Sequence, residues 1–152
     1  MDYFILQQDY RYYQYPNIVG FNEQYNRRDF VSENAYKIPD RNIVFSNISQ
    51  KVNYIDYLNT PIILISEKIK KVFSMYDKSL LYKYFCILNN QTSEYGNYYV
   101  PIVNTQKEIN GKCIVKLEQQ KGEFIVVRLD VAESLLRRNV RGVKLLPLEN
   151  SN

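Results

Sequence analysis

Few residues in this chain of 152 could carry catalysis. Histidine is absent, which excludes Ser-His and Cys-His nucleophile pairs, histidine-ligated metals and histidine acid–base catalysis within the chain. Phosphate-cradling loops and dinucleotide fingerprints need clustered glycines at the start of a helix. The five glycines are scattered instead, at Gly20, Gly96, Gly111, Gly122 and Gly142. These absences disfavour an enzyme and predict no nucleotide cofactor.

Carboxylates and thiols remain as reactive groups. Paired carboxylates could do acid–base work, but those of this sequence fall mostly at apparent helix starts or strand ends, where caps and solvated charges explain them. Cys86 and Cys113 are too few and too far apart for a disulfide scaffold or a zinc knuckle, and both have apolar neighbours. We interpret them as reduced, buried thiols, and we predict no catalytic residue, no metal site and no cofactor.

Tyrosine and arginine are the residue types that point to binding, because they dominate the hot spots of protein interfaces. The chain has 15 tyrosines, and several of them cluster with arginines near the start. The tyrosine rings either contact a partner or pack on the core with their hydroxyls in water, and both interpretations stay open. The candidate partner-binding residues are Tyr10, Arg11, Tyr12, Tyr13, Tyr15, Arg27 and Arg28.

Charge allows a second class of partner. The net charge of +4 and the pI near 8.9 permit nucleic-acid binding, and tyrosines beside arginines could stack on unpaired bases. However, 20 basic and 16 acidic residues are spread along the whole chain, so no dense basic block is present. A solvated surface explains most of this charge, and a nucleic-acid module is the alternative to a protein-binding one.

The elements that must position these residues begin with a strand. Aromatic and β-branched residues over 2–7 predict a strand that lies inside a sheet. Residues 10–40 keep neither period 2 nor period 3.6 for long, which predicts an irregular, tyrosine-rich surface region. Val52, Ile55 and Leu58 recur at three-residue spacing and predict a short helix. Further strands are predicted over 43–45, 62–65, 84–88, 98–103, 113–117, 124–129 and 143–148.

Two amphipathic helices stand out. Ser66 is in the position of an N-cap for the first helix, and Asp130 for the second. Apolar residues then recur with helical spacing on one face of each helix. The buried positions predicted from these stripes are Val72, Phe73, Leu135 and Leu136.

The order of elements predicts an α+β fold, with a mostly antiparallel sheet and two main helices packed on it. A short loop near Lys121 and Gly122 predicts a hairpin. Residues 62–88 and 125–148 both form strand, capped helix, turn and strand, and their apolar positions align without a gap, which indicates a weak internal repeat. The length predicts a single domain over 1–152, with a frayed polar tail at 149–152.

The start of the chain lacks the basic n-region and long apolar stretch of a secretory signal. No window approaches the roughly 18 to 20 apolar residues that a membrane-spanning helix needs. We therefore expect a cytoplasmic protein with no membrane partner.

Three segments resemble a known family. They are Tyr3 to Leu6, then Ile62-Ile63-Leu64-Ile65-Ser66-Glu67-Lys68-Ile69-Lys70-Lys71, and finally Val126-Val127-Arg128-Leu129-Asp130 through Leu148. Their order resembles the bacterial immunity protein eleven family of polymorphic toxin systems, in which an apolar strand leads into a serine-glutamate helix start and a similar unit ends the chain. The resemblance implies a protein that binds and neutralises a cognate toxin domain without catalysis and without a cofactor.

Overall fold

The structure, a computed structural model, describes residues 2–119 and 122–149. In this part of the chain ten strands form two mostly antiparallel sheets, and helices pack on them, so the fold is α+β as predicted. The strands are β1 (Tyr3–Gln8), β2 (Arg41–Ser46), β3 (Tyr57–Leu58), β4 (Leu64–Ile65), β5 (Leu81–Asn89), β6 (Tyr95–Ile102), β7 (Thr105–Gln106), β8 (Ile114–Gln119), β9 (Gly122–Arg128) and β10 (Val143–Pro147). The helices are α1 (Phe21–Gln24), α2 (Glu67–Tyr76) and α3 (Leu129–Arg137).

The strands are divided between two sheets. The terminal sheet has the order β10-β1-β9-β8-β7, and the central sheet has the order β2-β5-β6-β4-β3. All neighbouring pairs are antiparallel except β2 with β5 and β7 with β8. The predicted strand at the start of the chain lies inside the terminal sheet, between β9 and β10. The predicted hairpin is the antiparallel pair β8 and β9. Residues 120–121 between these strands lie outside the described residues, as do positions 150–152 of the predicted frayed tail.

Both units of the predicted repeat have the same strand arrangement. In the central sheet, β4 leads through α2 to β5, and β6 lies between these two strands, antiparallel to both. In the terminal sheet, β9 leads through α3 to β10, and β1 occupies the place between them. The inserted strand follows the first unit in sequence but precedes the second. The repeated pattern of apolar residues therefore corresponds to a repeated topology.

Two core clusters hold the sheets and helices together. The first joins both long helices to both sheets, with fully buried Phe73 of α2 and Leu135 of α3 beside Ile125 of β9. The second lies on the opposite face of the central sheet, where the irregular region packs on β5 and β6. It contains Phe21, Phe30, Ala35, Ile38, Val44, Phe85, Ile87, Tyr98 and Val100, among others. The predicted irregular region thus covers a sheet face.

The start of α2 is as predicted, and the start of α3 is not. The Ile69 backbone N–H donates to the Ser66 hydroxyl at 3.4 Å, which makes Ser66 the N-cap. In α3 the N-cap is Arg128, whose side chain does not cap the helix. Asp130 lies in the first turn instead, where its carboxylate accepts from the Val131 N–H at 3.0 Å and pairs with Arg128 at 2.7 Å. The hydrogen bonds from Arg128 lower the pKa of the Asp130 carboxyl, so its negative charge is kept at the positive end of the helix.

Three further predictions were wrong in informative ways. Leu136 is 64% exposed, because it lies at the edge of the α3 stripe, one turn beyond Ala132, where the helix ends. Residues 52–58 form no helix: the Asn53 N–H donates to Gln14 at 2.8 Å and the Asp56 N–H to Arg141 at 2.8 Å, so distant carbonyls replace helical ones. The cysteines are free, as predicted, but they are half-buried rather than buried.

Across residues 2–119 and 122–149, no helix is long and apolar enough to span a bilayer.

The core assignment predicts unequal costs along the two helices. Phe73→Ala and Leu135→Ala should each lower the free energy of unfolding by about 2–5 kcal/mol, because both side chains are fully buried. Leu136→Ala is the matched control and should change it by less than about 0.5 kcal/mol. Urea unfolding followed by circular dichroism measures all three. Equal losses for Leu135→Ala and Leu136→Ala would show that α3 faces the core differently.

The turn after α3 predicts a second difference in stability. Gly142 and Gly111 both have positive φ, of 81° and 72°, so alanine at either position should cost roughly 1–2 kcal/mol. A Cβ at Gly142 would also overlap the Ile55 side chain, whereas one at Gly111 would meet no atom within 4 Å. Gly142→Ala should therefore destabilise by at least about 1 kcal/mol more than Gly111→Ala. Thermal unfolding of the two variants tests this, and equal shifts would contradict the close packing of this turn on Ile55.

Candidate binding surface

The tyrosine segment, residues 10–15, alternates between packed and exposed rings. Tyr12 and Tyr15 are half-buried and pack against the second core cluster. Tyr10 and Tyr13 are 54% and 70% exposed. The core-packing interpretation therefore describes Tyr12 and Tyr15, while Tyr10 and Tyr13 are left available for contact.

Contacts hold the ring of Tyr10 and the backbone of Tyr13. The Tyr10 hydroxyl donates to Asn59 Oδ1 at 2.9 Å, and the Tyr10 ring meets Tyr15 edge-on, with centroids 5.7 Å apart. The Tyr13 carbonyl accepts from Asn53 Nδ2 at 2.6 Å. Side chains that are held before binding lose less conformational entropy when a partner arrives. The exposed rings are thus suited to a binding surface.

Arg11 has a structural role beside its predicted binding role. Its guanidinium contacts both Asp9 oxygens, with Nη2 to Oδ2 at 2.7 Å and Nε to Oδ1 at 3.0 Å, and its backbone N–H donates to Oδ1 at 3.1 Å. Asp9 is buried, whereas the Arg11 side chain is 78% exposed. The hydrogen bonds from Arg11 lower the pKa of the Asp9 carboxyl to about 2, against the opposing effect of burial. Replacing Arg11 would leave this buried carboxylate without its partner, so it should destabilise the fold as well as weaken binding.

Arg27 and Arg28 lie on a short 3-10 turn, the arginine turn (Arg27–Asp29). Asn26 caps this turn, because its side-chain oxygen accepts from the Arg28 N–H at 3.0 Å. The next residue, Phe30, is 3% exposed and stacks on Phe21 with centroids 6.0 Å apart. The two arginine side chains are exposed, and neither is in an ion pair within the described residues.

The arginine turn borders a cleft of about 660 Å³. Three parts of the chain meet there. They are residues 27, 28, 30 and 31, then residues 59–63 between β3 and β4 together with 100–101 of β6, and the β8–β9 hairpin of the terminal sheet. The apolar part of its wall includes Phe30, Ile62, Ile63, Val100, Pro101 and Ile125. Its volume is within the roughly 300–1,000 Å³ of ordinary ligand sites.

Lys116 adds a third positive charge to the cleft. It is paired with Ile125 across the β8–β9 hairpin, so it lies on the core-facing side of the terminal sheet and is only 8% exposed. Its ammonium is 3.2 Å from Glu123, whose other carboxylate oxygen accepts from the Thr105 hydroxyl at 3.2 Å. Glu123 itself is 48% exposed at its side chain. The cleft therefore contains a buried ammonium group whose carboxylate partner is half exposed to solvent.

The structure brings only some of the predicted residues together. Arg27 and Arg28 line the cleft, and Tyr10 reaches it through its hydrogen bond to Asn59, which is also a lining residue. Tyr12 contacts the Arg141 guanidinium instead, which lies 5.7 Å from its ring centroid. Lys116 was not predicted, although a lysine on the inward-facing side of an apolar strand was a usable signal. Within the described residues no group of three or more cysteines, aspartates and glutamates is placed to hold a metal ion.

The pairing of Asp9 with Arg11 predicts a pH-dependent contribution to stability. The pKa of this carboxyl is about 2 in the folded chain, below the roughly 3.9 of an unfolded aspartate. Its ionised form therefore stabilises the fold fully above about pH 4, and this stabilisation is lost as the pH falls toward 2. Asp9→Asn should be less stable than the parent at pH 7, and the difference should shrink between about pH 4 and 2. Urea unfolding across this range measures it, and a difference independent of pH would contradict the role of the charge.

The chain matches no family model, and no curated protein has a significant match to its sequence. What this surface can do therefore follows from its own residues. It has two exposed tyrosines on an ordered segment, two arginines with no ion-pair partner among the described residues, and a cleft that combines positive charge with an apolar wall.

Proposed function

We propose that this chain acts by binding another protein, and that the partner is a toxin domain of a bacterial polymorphic toxin system, which the chain neutralises as an immunity protein. The observation that carries the proposal is the pair of exposed tyrosines, Tyr10 and Tyr13, held on a segment whose neighbouring rings pack on the core. Rigid, exposed aromatic side chains are the usual anchors of protein interfaces. The toxin as partner is supported by the resemblance to the immunity protein eleven family.

Neutralisation by binding needs no turnover, which suits the residues of the surface. Tyrosine, arginine and asparagine side chains supply ring contacts and hydrogen bonds, and the absence of histidine removes the most frequent general base. The chain neutralises the toxin domain by binding to it and covering part of its surface.

Charge restricts the kind of surface that this chain can cover. Arg11 is compensated by Asp9, and Lys116 by Glu123. Arg27 and Arg28 outnumber Asp29 in the arginine turn, so the edge of the cleft has excess positive charge. Complementary potentials then favour a neutral or acidic partner surface. The basic active site of a nuclease is a poor fit, because an inhibitor that plugs it is expected to present an acidic face.

Single-stranded nucleic acid is the second candidate, favoured by the 70% exposure of Tyr13, which follows the exposed Arg11 by two residues in sequence. It makes a distinct prediction about salt. Binding to random single strands should weaken steeply as salt increases, because counterions are released from the phosphates. Binding to a toxin domain should depend on salt less steeply, because an acidic protein surface lacks the condensed counterions of a polynucleotide.

Co-expression with the toxin domain that we expect the neighbouring gene to encode tests the proposal. Growth should be restored, and the two chains should elute as one complex in size-exclusion chromatography. A toxin domain that is neither bound nor neutralised would overturn the immunity function.

The exposed rings predict where affinity is lost. Tyr10→Ala and Tyr13→Ala should each weaken the toxin complex by more than about 1 kcal/mol, the level typical of interface hot spots. Tyr95→Ala is the matched control, because Tyr95 is 61% exposed but lies on the face of the central sheet opposite to the second core cluster. Isothermal titration calorimetry gives the three affinities. If Tyr95→Ala costs as much as Tyr13→Ala, the binding face is wrongly placed.

A further inference from the structure

The cleft beside the arginine turn has more positive charge than its own carboxylates neutralise. Arg27, Arg28 and Lys116 line it, and Glu123 is the acidic residue among the described lining residues. Glu123 already pairs with Lys116, so both arginines are left for an incoming group. Arginine guanidinium groups bind carboxylates and phosphates with two parallel hydrogen bonds.

The wall of the cleft distinguishes between these two anions. Nucleic acid brings phosphate together with bases that stack on exposed ring faces. Phe30 is the aromatic residue among the described lining residues, and it is 3% exposed and stacked on Phe21. The remaining apolar wall is aliphatic or proline, as in Ile62 and Pro101. Such a wall suits aliphatic side chains better than bases.

We propose that the cleft binds an acidic segment of the partner protein, in which aspartate or glutamate side chains beside an aliphatic residue contact Arg27, Arg28 and Lys116. This inference rests on the proposed function, because it names the part of the partner that the surface recognises. The aliphatic side chain packs on Ile62 and Pro101, and the carboxylates pair with the arginine turn.

Glu123 has a defined role in this arrangement. Its carboxylate occupies, 3.2 Å from the Lys116 ammonium, a position that a partner carboxylate can take. Because Glu123 is partly exposed, it can turn toward water when the partner arrives. It therefore neutralises Lys116 in the free protein and competes with the acidic segment. Removing its charge should strengthen binding, because the Lys116 ammonium is then free to pair with a carboxylate of the acidic segment.

The probe is an end-blocked peptide of sequence Ile-Asp-Asp-Leu, with Ile-Asn-Asn-Leu as its uncharged control, titrated into the labelled full chain and followed by NMR. The acidic peptide should shift the amide signals of residues 27–31, 59–63 and 122–125, and the amide peptide should bind at least about tenfold more weakly. Equal binding of the two peptides, or no shift at these residues, would overturn the proposal. So would shifts of these residues by oligothymidylate but not by the acidic peptide.

Single-residue variants identify which charged side chains bind the acidic peptide. Arg27→Ala and Arg28→Ala should each weaken the acidic peptide about tenfold, while Glu123→Gln should strengthen it about two- to fivefold. Arg41→Ala is the matched control, because Arg41 is an exposed arginine at the opposite edge of the central sheet, and it should change affinity less than about twofold. Thermal unfolding of each variant confirms that the chain is folded. If Arg41→Ala weakened peptide binding as much as Arg27→Ala, the peptide would be responding to net charge alone, and the proposed site would be overturned.

The same variants separate this inference from the proposed function. A toxin complex that depends on Tyr13 but not on Arg27 or Arg28 would overturn the cleft and leave the immunity function standing. Specific binding of the acidic peptide without any binding of the toxin domain would overturn the immunity function and leave the cleft standing as a site for acidic segments.

Discussion

The packing of the irregular region on Phe85 is the interaction on which the binding surface depends. The Tyr25 and Phe30 rings lie 5.3 and 6.1 Å from the Phe85 ring, and Phe21 stacks on Phe30. Each such pair contributes roughly 0.5–1.5 kcal/mol beyond the burial of its area. These rings cover the face of the central sheet opposite to α2, so a segment with almost no regular secondary structure has a defined position.

Both halves of the proposed surface follow from this packing. Phe30 comes directly after the arginine turn, and its burial fixes the backbone of this turn at the edge of the cleft. Tyr15 packs against the same cluster and supports the ring of Tyr10. The surface is therefore built from residues whose neighbours in sequence belong to the core. Such a surface is ordered before a partner arrives, which lowers the entropy lost on binding.

Local patterns were sufficient to predict some elements and insufficient for others. The Ser66 cap, the α2 stripe and the β8–β9 hairpin depend on residues close together in sequence, so they could be predicted. Residues 52–58 have helical spacing, but their backbone is paired with Gln14 and Arg141, which no local pattern shows. The cleft is less predictable still. Its lining includes Arg27 of the irregular region and Lys116 of the terminal sheet. These residues are far apart in sequence, so their proximity depends on the complete tertiary fold.

Hydrogen exchange of the chain, alone and bound to the toxin domain, tests most directly whether the tyrosine segment and the arginine turn form the interface. We expect slower amide exchange on binding in residues 10–16 and 26–31, while exchange in β5 and β10 is unchanged. Protection confined to β2, β5 or β10, with residues 10–16 and 26–31 unaffected, would contradict it.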